Sequence, residues 1–434
     1  MTLAPSRPSH TDWPGLHVIP SGPRARVFAR LSRPIFRTAL RRLPVTVKVG
    51  DGPGAETIGA GGPLMTIHRP DEFFARVGSQ GLIGFGEAYL TGAWDAEDLA
   101  GFLTVLAADL PNLVPERLQR LRAAYVARPP RHQQNTVDNT RDNIAHHYDL
   151  SNDLFSTFLD PTLSYSAALF ESTIGPDSDH VGDHLVAGPP STSGDFATAQ
   201  VRKIERLLDE AHVGEGTRVL EIGTGWGELA ILAARRGAVV RSVTLSSEQQ
   251  ELARERIAAA GFADQVQVDL CDYRLVTGEY DAVLSVEMIE AVGHEYWGTY
   301  FATIDRLLAP GGRVAIQAIT MPHDRMLATR RTYTWINKYI FPGGFLPSVQ
   351  VLDEITRNET TLRLGCRLSM GLHYAETLKR WDEAFLAASD RVQELGFDRT
   401  FLRMWHFYLD YSRAGFASGY LDVNQLTFAR EDVR

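Results

Sequence analysis

Cysteine is almost absent. The 434 residues hold two, Cys271 and Cys366, too few for a disulfide scaffold or a cysteine-rich metal centre. The thirteen histidines show no ligand spacing, so no metal site is expected. No uncharged apolar run reaches the ~20 residues that span a bilayer, and no apolar signal core marks the N-terminus. Acidic residues are missing from one end only. Residues 1–50 hold nine basic side chains and one acid, Asp12, within a chain whose formal net charge is −9. No nucleic-acid reader motif accompanies that basic end, and the rest of the chain is acidic, which argues against a nucleic-acid partner. What remains is a soluble, cytoplasmic protein with a basic arm on an acidic body, too long for one typical domain.

Within the arm, arginines at 26, 30, 33, 37 and 41 are spaced to form one stripe on a helix, with Phe28, Leu31, Ile35 and Ala39 on another side. Pro34 is expected to kink this helix or to begin a second one. Such a helix suits either the surface of an anionic bilayer or the protein's own acidic body.

Residues 1–20 read as a flexible tail, 21–135 as an N-terminal domain and 136–434 as the catalytic domain. In the N-terminal part, strand-like VTVKV and PLMTIHR precede helical patterns near 70–77 and 99–106. ARPPRHQQNTVD (127–138) reads as a linker, and 174–195 as an exposed, mobile loop. From residue 200 the pattern becomes regular: strands at 218–222, 239–244, 266–270, 281–286 and 313–319, separated by helices over 201–211, from the glycine turn through 236, over 246–260 and over 296–308. That alternation predicts a doubly wound, mostly parallel α/β sheet of Rossmann-like type beside a smaller α+β domain. Its ligand belongs at the carboxyl ends of the strands.

The first of these strands runs into Glu221-Ile222-Gly223-Thr224-Gly225-Trp226-Gly227. The spacing is G-x-G-x-G, shorter than a dinucleotide fingerprint. It leaves room for a smaller ligand whose carboxylate meets backbone donors and whose ammonium meets Glu221, the pattern of S-adenosylmethionine methyltransferases. The second strand ends at Thr244, with Gln249 after it, a neutral set for ribose hydroxyls. The third ends at Asp272 and Tyr273, a carboxylate and an aromatic to flank adenine; Asp272 could equally cap the next turn.

Several long motifs carry a family resemblance. NIAHHYDLSNDLF (143–155), DPTLSYSAALF (160–170), EIGTGWGELA, VTLSSEQ, VEMIEAVGHEYW, IFPGGFLPS (340–348) and HYAETLKRW (373–381) resemble the cyclopropane fatty acid synthase family. GLIGFGEAYLTGAWD (81–95) is similar to that family's non-catalytic first domain. The resemblance covers roughly residues 65 to 425 and implies methyl transfer from S-adenosylmethionine to a cis double bond of a phospholipid acyl chain. It further implies a two-domain, commonly dimeric enzyme, peripheral at the inner face of the membrane. By position it assigns Tyr165, Ser166, Gly223, Gly225, Thr244, Gln249 and Asp272 to the cofactor. Glu290, Ile319 and Tyr374 fall to a pocket that holds bicarbonate as the base. Three positions depart from the pattern: Ala167 replaces a cysteine, Ala291 a histidine, and Gln317 a histidine that binds the bicarbonate.

An alkene needs no base to become a nucleophile, but methyl attack leaves a carbocation that survives only in a dry, aromatic-lined cavity. Tyr148, Phe155, Tyr165, Phe170, Trp297 and Tyr339 are candidates for that lining. The cation must then lose a proton. Direct loss with ring closure gives a cyclopropane; a hydride shift first gives an exocyclic methylene, which a separate flavin- or NADPH-dependent reductase turns into a methyl branch. With Ala167 and Gln317 in place, bicarbonate is expected to be held more weakly or shifted. VEMIEAV and AIQAIT resemble the branch that makes tuberculostearic-type lipids, which favours the methylene product on an oleoyl phospholipid over the cyclopropane. Two rival readings stand beside it. One is a methyltransferase for oxygen or nitrogen of a small molecule, with His146, His147 or His294 as base. The other is a lipid-binding protein that has lost catalysis.

Overall fold

A computed structural model describes residues 13, 15–52, 54–110, 151–177 and 184–431. Two compact units divide the chain. The first takes residues 1–128, 332–340 and 378–420; the second takes 129–331, 341–377 and 421–434. A single boundary near 135 is therefore too simple, because the chain returns to the first unit twice. The linker expected at 127–138 and most of the tail lie outside the described residues.

In the first unit, α1 (Gly22–Leu40) precedes a small sheet of β1 (Thr46–Val49), β2 (Glu56–Ile58), β3 (Leu64–Ile67) and β4 (Trp94–Ala96), in the order β2-β1-β3-β4. Helices α2 (Pro70–Gln80), α3 (Leu82–Leu90) and α4 (Leu99–Ala108) complete its early part. Pro34 neither breaks α1 nor starts a new helix. Its side is exposed, so water can take the Arg30 carbonyl that loses its amide partner.

The second unit is built on nine strands in the order β5-β6-β12-β13-β11-β10-β7-β8-β9. They are β5 (Ile174–Pro176), β6 (His184–Ala187), β7 (Arg218–Ile222), β8 (Val239–Thr244), β9 (Val266–Leu270), β10 (Tyr280–Val286), β11 (Leu308–Thr320), β12 (Leu362–Ser369) and β13 (Asp422–Arg430). The five consecutive strands from β11 to the β9 edge (β11, β10, β7, β8 and β9) are parallel. Along β7 and β10, alternate residues enter opposite cores. Leu220 and Val283 pack with Tyr300, Phe301 and Ile304 of α8 (Trp297–Leu307). Val219 and Leu284 pack with Leu207 of α5 (Phe196–Glu210) and Leu232 of α6 (Glu228–Arg235). Apolar residues at both parities give a strand buried on both faces, hence helices on both sides.

The region 174–195 is not a structureless loop. Its β5 and β6 pair antiparallel at the sheet edge, where Pro176 lacks an amide the ladder would need only from an inner strand. The chain continues through α7 (Ser247–Ala259), α9 (Val349–Glu359), α10 (Gly371–Ala387) and α11 (Arg399–Ala417). No helix among the described residues is long and apolar enough to cross a membrane.

Candidate active site

Strand β7 lies between β8 and β10, so strand order reverses beside it. The turns leaving β7 and β10 therefore meet at the switch point, where α/β sheets bind ligands. After β7, Gly223, Gly225 and Gly227 all take positive φ, at +98°, +51° and +90°. A side chain on Gly223 would come within 2.4 Å of Met288 Cγ, whereas one on Gly225 would meet nothing within 4 Å. The first glycine thus admits a neighbour, and the second leaves open space beside the loop. Gly227 caps α6 in the left-handed conformation.

Glu221 is buried in the same turn. Ser242 donates to its Oε2 at 2.5 Å and lies 2.7 Å from the Thr224 hydroxyl. Burial pushes its carboxyl up to about 8, so a cation arriving there would restore the charged form. Thr244 and Gln249 meet at 3.1 Å between Thr244 Oγ1 and Gln249 Oε1. A glycine cradle with open space beside it, a buried acid lacking a cationic partner, both among the described residues, and this polar pair fit S-adenosylmethionine.

Other residues assigned to the cofactor have further duties. Asp272 caps a short 3-10 turn, its Oδ1 accepting from Arg274 N and Nε at 2.9 Å each and its Oδ2 from Nη2 at 2.6 Å. Burial opposes the charge, but these bonds outweigh it and hold the carboxyl below its usual range. Tyr273 packs edge-on to Tyr300 at 5.4 Å. The Trp226 side chain is buried, donating to Asn152 Oδ1 at 2.8 Å and packing on Phe155 at 5.0 Å; it offers a ligand only backbone. Tyr165 is half-buried, edge-on to Phe155 at 5.1 Å. Ser166 is buried and accepts from Lys203 Nζ at 2.6 Å.

The turn after β10 holds the feature that sequence reasoning missed. Glu287 has φ +52°, a left-handed conformation that costs a non-glycine residue roughly 1–2 kcal/mol. Its Oε1 accepts from Ala167 N at 2.9 Å and from Gln317 Nε2 at 2.8 Å; its Oε2 accepts from Tyr374 Oη at 2.7 Å. Gln317 cannot turn its amide the other way, because its Oε1 accepts from Gln425 Nε2 at 3.1 Å. Gln425 is fixed in turn by Arg206, which donates to its Oε1 at 2.7 Å. Burial raises the Glu287 carboxyl, while its donors and the buried Lys203 ammonium partly offset that rise. Lys203 itself is lowered to about 8 by burial.

Glu290 follows one turn later. Ile319 N donates to its Oε1 at 2.5 Å, and its Oε2 is buried without a hydrogen-bond partner among the described residues. Burial, and then the charge of Glu287, push its carboxyl up to about 8. The donors expected to hold bicarbonate are therefore already engaged: Tyr374 and Gln317 on Glu287, Ile319 on Glu290. A separate bicarbonate does not fit this donor set, since a second anion would face the Glu287 carboxylate across the same groups. A carboxylate at the end of the fourth parallel strand was the available signal, and it lay inside the VEMIEAV motif.

The aromatic candidates scatter. Trp297 is buried, donates to Ile289 O at 3.1 Å and stacks on Phe345 at 5.9 Å, so it supports the turn that carries Glu290. Phe170 is buried in a satellite core, stacked on Phe196 at 5.9 Å. Tyr339 belongs to the first unit, where its hydroxyl donates to Glu87 Oε1 at 2.9 Å. Tyr148, His146 and His147 lie outside the described residues. His294 is half-buried against Trp297 and Phe345, and burial lowers its pKa.

Residues 135–426 match the mycolic acid cyclopropane synthetase family. The chain belongs to this family. It is an enzyme of that kind, a methyltransferase with a Rossmann-like α/β fold. Over 419 residues it is 52% identical to the tuberculostearic acid methyltransferase UfaA1 of Mycobacterium tuberculosis, covering 96% of this chain and 95% of that protein. It is 33% identical over 368 residues to the cyclopropane-fatty-acyl-phospholipid synthase of Escherichia coli, covering 84% of this chain and 87% of the relative. The mycolic acid cyclopropane synthase CmaA1, solved with SAH and CTAB, superposes with a TM-score of 0.57 at 28% identity. That match covers 66% of this chain and 97% of CmaA1.

Proposed function

We propose that this member of the family transfers a methyl group from S-adenosylmethionine to the cis double bond of an oleoyl-type acyl chain in a membrane phospholipid, giving a 10-methylene product. The observation that carries the reading is the carboxylate of Glu287, held by three donors in a strained turn beside the glycine loop. When bound, S-adenosylmethionine supplies an electrophilic methyl on a sulfonium sulfur. The loop glycines and Glu221 hold its amino-acid end, and Thr244 with Gln249 its ribose. SAH in CmaA1, the demethylated form of that cofactor, supports this assignment.

As the new carbon–carbon bond forms, the sulfur–methyl bond breaks and the neighbouring acyl carbon becomes cationic. A hydride shift moves the charge to the methyl-bearing carbon. Loss of a proton from the methyl then leaves the exocyclic methylene, and Glu287 takes that proton. Its donors keep the carboxylate in place, and Glu290, largely protonated at neutral pH, adds no second negative charge. Positioned general bases of this kind contribute about 10²–10⁴-fold.

The methylene outcome draws on the 52% identity to a tuberculostearic acid methyltransferase; a saturated methyl branch then requires a separate flavin- or NADPH-dependent reductase. A dimer, peripheral at the inner membrane face, completes the proposal. Incubation with oleoyl phospholipid and S-adenosylmethionine, followed by mass spectrometry of the released acyl chains, tests it. A methylene-branched acid is expected. A cyclopropane as sole product would make the chain a cyclopropane-forming enzyme on the same substrate, and no mass gain would refute both outcomes.

A further inference from the structure

Helix α1 carries a face that the described residues of its own unit do not cover. Its inner side is tightly held: Ala25 and Leu40 are buried, and Phe36 meets Phe73 and Phe74 edge-on at 5.2 and 5.7 Å. A side chain on Gly78 would come within 2.6 Å of the Phe28 carbonyl carbon, so α1 lies with its backbone against α2. The opposite side shows Val27, 54% exposed, and Leu31, 56% exposed, with Phe28 beside them at 45%. Val18 and Ile19, just before the helix, are exposed as well. The apolar side expected from the sequence is thus partly turned outward.

The arginines divide into two sets. Arg33 pairs with Asp71 at 2.5 Å, Arg37 with Glu56 and Arg42 with Asp109 at 3.2 Å, all charges of the same unit. Arg24, Arg26, Arg30 and Arg41 pair with no acidic side chain among the described residues. Arg26 and Arg30 flank the Val27–Leu31 ridge on one side and Arg24 on the other, by helical rotation. A narrow apolar ridge between cations of one sign is what lies in the plane of an anionic membrane surface: apolar tips enter the acyl boundary while guanidinium groups reach phosphates. An acidic protein groove would need a partner shaped to a convex ridge; a bilayer needs no such fit.

We propose that residues 22–31 of α1 form a docking surface for an anionic lipid bilayer, with Val27 and Leu31 inserted and Arg24, Arg26 and Arg30 on the phosphates. This rests on the reading that the acyl substrate is carried by a membrane phospholipid. The test is co-sedimentation with phosphatidylglycerol–phosphatidylcholine vesicles and with pure phosphatidylcholine vesicles across a salt series. The protein is compared with the variant Arg24→Gln/Arg26→Gln/Arg30→Gln and with Val27→Ser/Leu31→Ser, each checked for unchanged circular dichroism and melting. The arginine variant should bind anionic vesicles roughly 100-fold more weakly at low salt, at about 1 kcal/mol per cation. The serine variant should weaken binding at every salt concentration. Unchanged binding in both variants would overturn the proposal, and so would wild-type protein that ignores both vesicle types, an outcome favouring an acidic protein partner. Methyl transfer to oleoyl phospholipid in neutral detergent is measured alongside. Turnover kept by a variant that no longer binds vesicles supports the docking surface. Wild-type protein that binds vesicles but transfers no methyl overturns the functional reading and leaves the surface standing.

Discussion

Glu287 and Glu290 stand three residues apart and have opposite surroundings. Three donors converge on Glu287, whereas Glu290 has one donor and a buried oxygen with none. Two carboxylates whose charges feel each other do not both ionise easily, and the less well-bonded one keeps its proton. Glu221 is a second acid raised to about 8, by burial. For a carboxyl raised from 4.5, the folded chain binds the extra proton between about pH 4.5 and 8. The stabilisation is full below 4.5 and is lost as pH rises through 8, with a slope of at most about 1.4 kcal/mol per pH unit for each group. The ligand-free protein should therefore melt at lower temperature as pH increases across that window. Glu290→Gln should remove its own contribution, flattening the curve in a thermal-shift series. An unchanged slope would mean that Glu290 is ionised at neutral pH.

At the scale of elements, the glycine loop separates fold from binding. Gly223→Ala would collide with Met288 and also strain a φ of +98°. It should lower the melting temperature and abolish S-adenosylmethionine binding together. Gly225→Ala meets open space, so it should melt within a few degrees of the wild type yet bind S-adenosylmethionine at least about tenfold more weakly in calorimetric titration. Equal binding by Gly225→Ala would move the cofactor away from this loop. The five parallel strands were legible because apolar runs such as RVLEI and DAVLSV, buried on both faces, alternate with helical periods. β12 and β13 were not: RLGC and the polar VNQLT stretch read as neither strand nor helix, and only the pairing of β13 with β11 and of β12 with β13 explains them. The glycines were legible from spacing. Glu287 was not, because its role depends on a left-handed turn and on donors 30 to 120 residues away in the chain.

For the whole molecule, the first unit is completed by a late segment. Arg403 of α11 is fully buried; its Nη2 reaches Asp95 Oδ1 at 2.6 Å and Tyr89 O at 2.7 Å, and its guanidinium lies 4.1 Å over the Tyr89 ring. Trp94 and Phe407 pack in the same core at 6.3 Å. Without α11, Asp95 would lose its buried cation, a loss of about 3–5 kcal/mol for a pair of this kind, and the apolar face of α4 would be bare. The isolated segment 1–135 is therefore expected not to fold cooperatively in a urea titration followed by tryptophan fluorescence; a sharp transition would show that 378–420 is dispensable. The proposed base of the second unit is a carboxylate of the chain itself, Glu287. Its most direct test is the rate of methyl transfer to oleoyl phospholipid in buffer stripped of carbon dioxide, with and without added bicarbonate. With Glu287 as base, the rate is the same in both for the wild type and depends on bicarbonate only when Glu287→Gly empties the donor nest. A wild-type enzyme that turns over only when bicarbonate is added would contradict it.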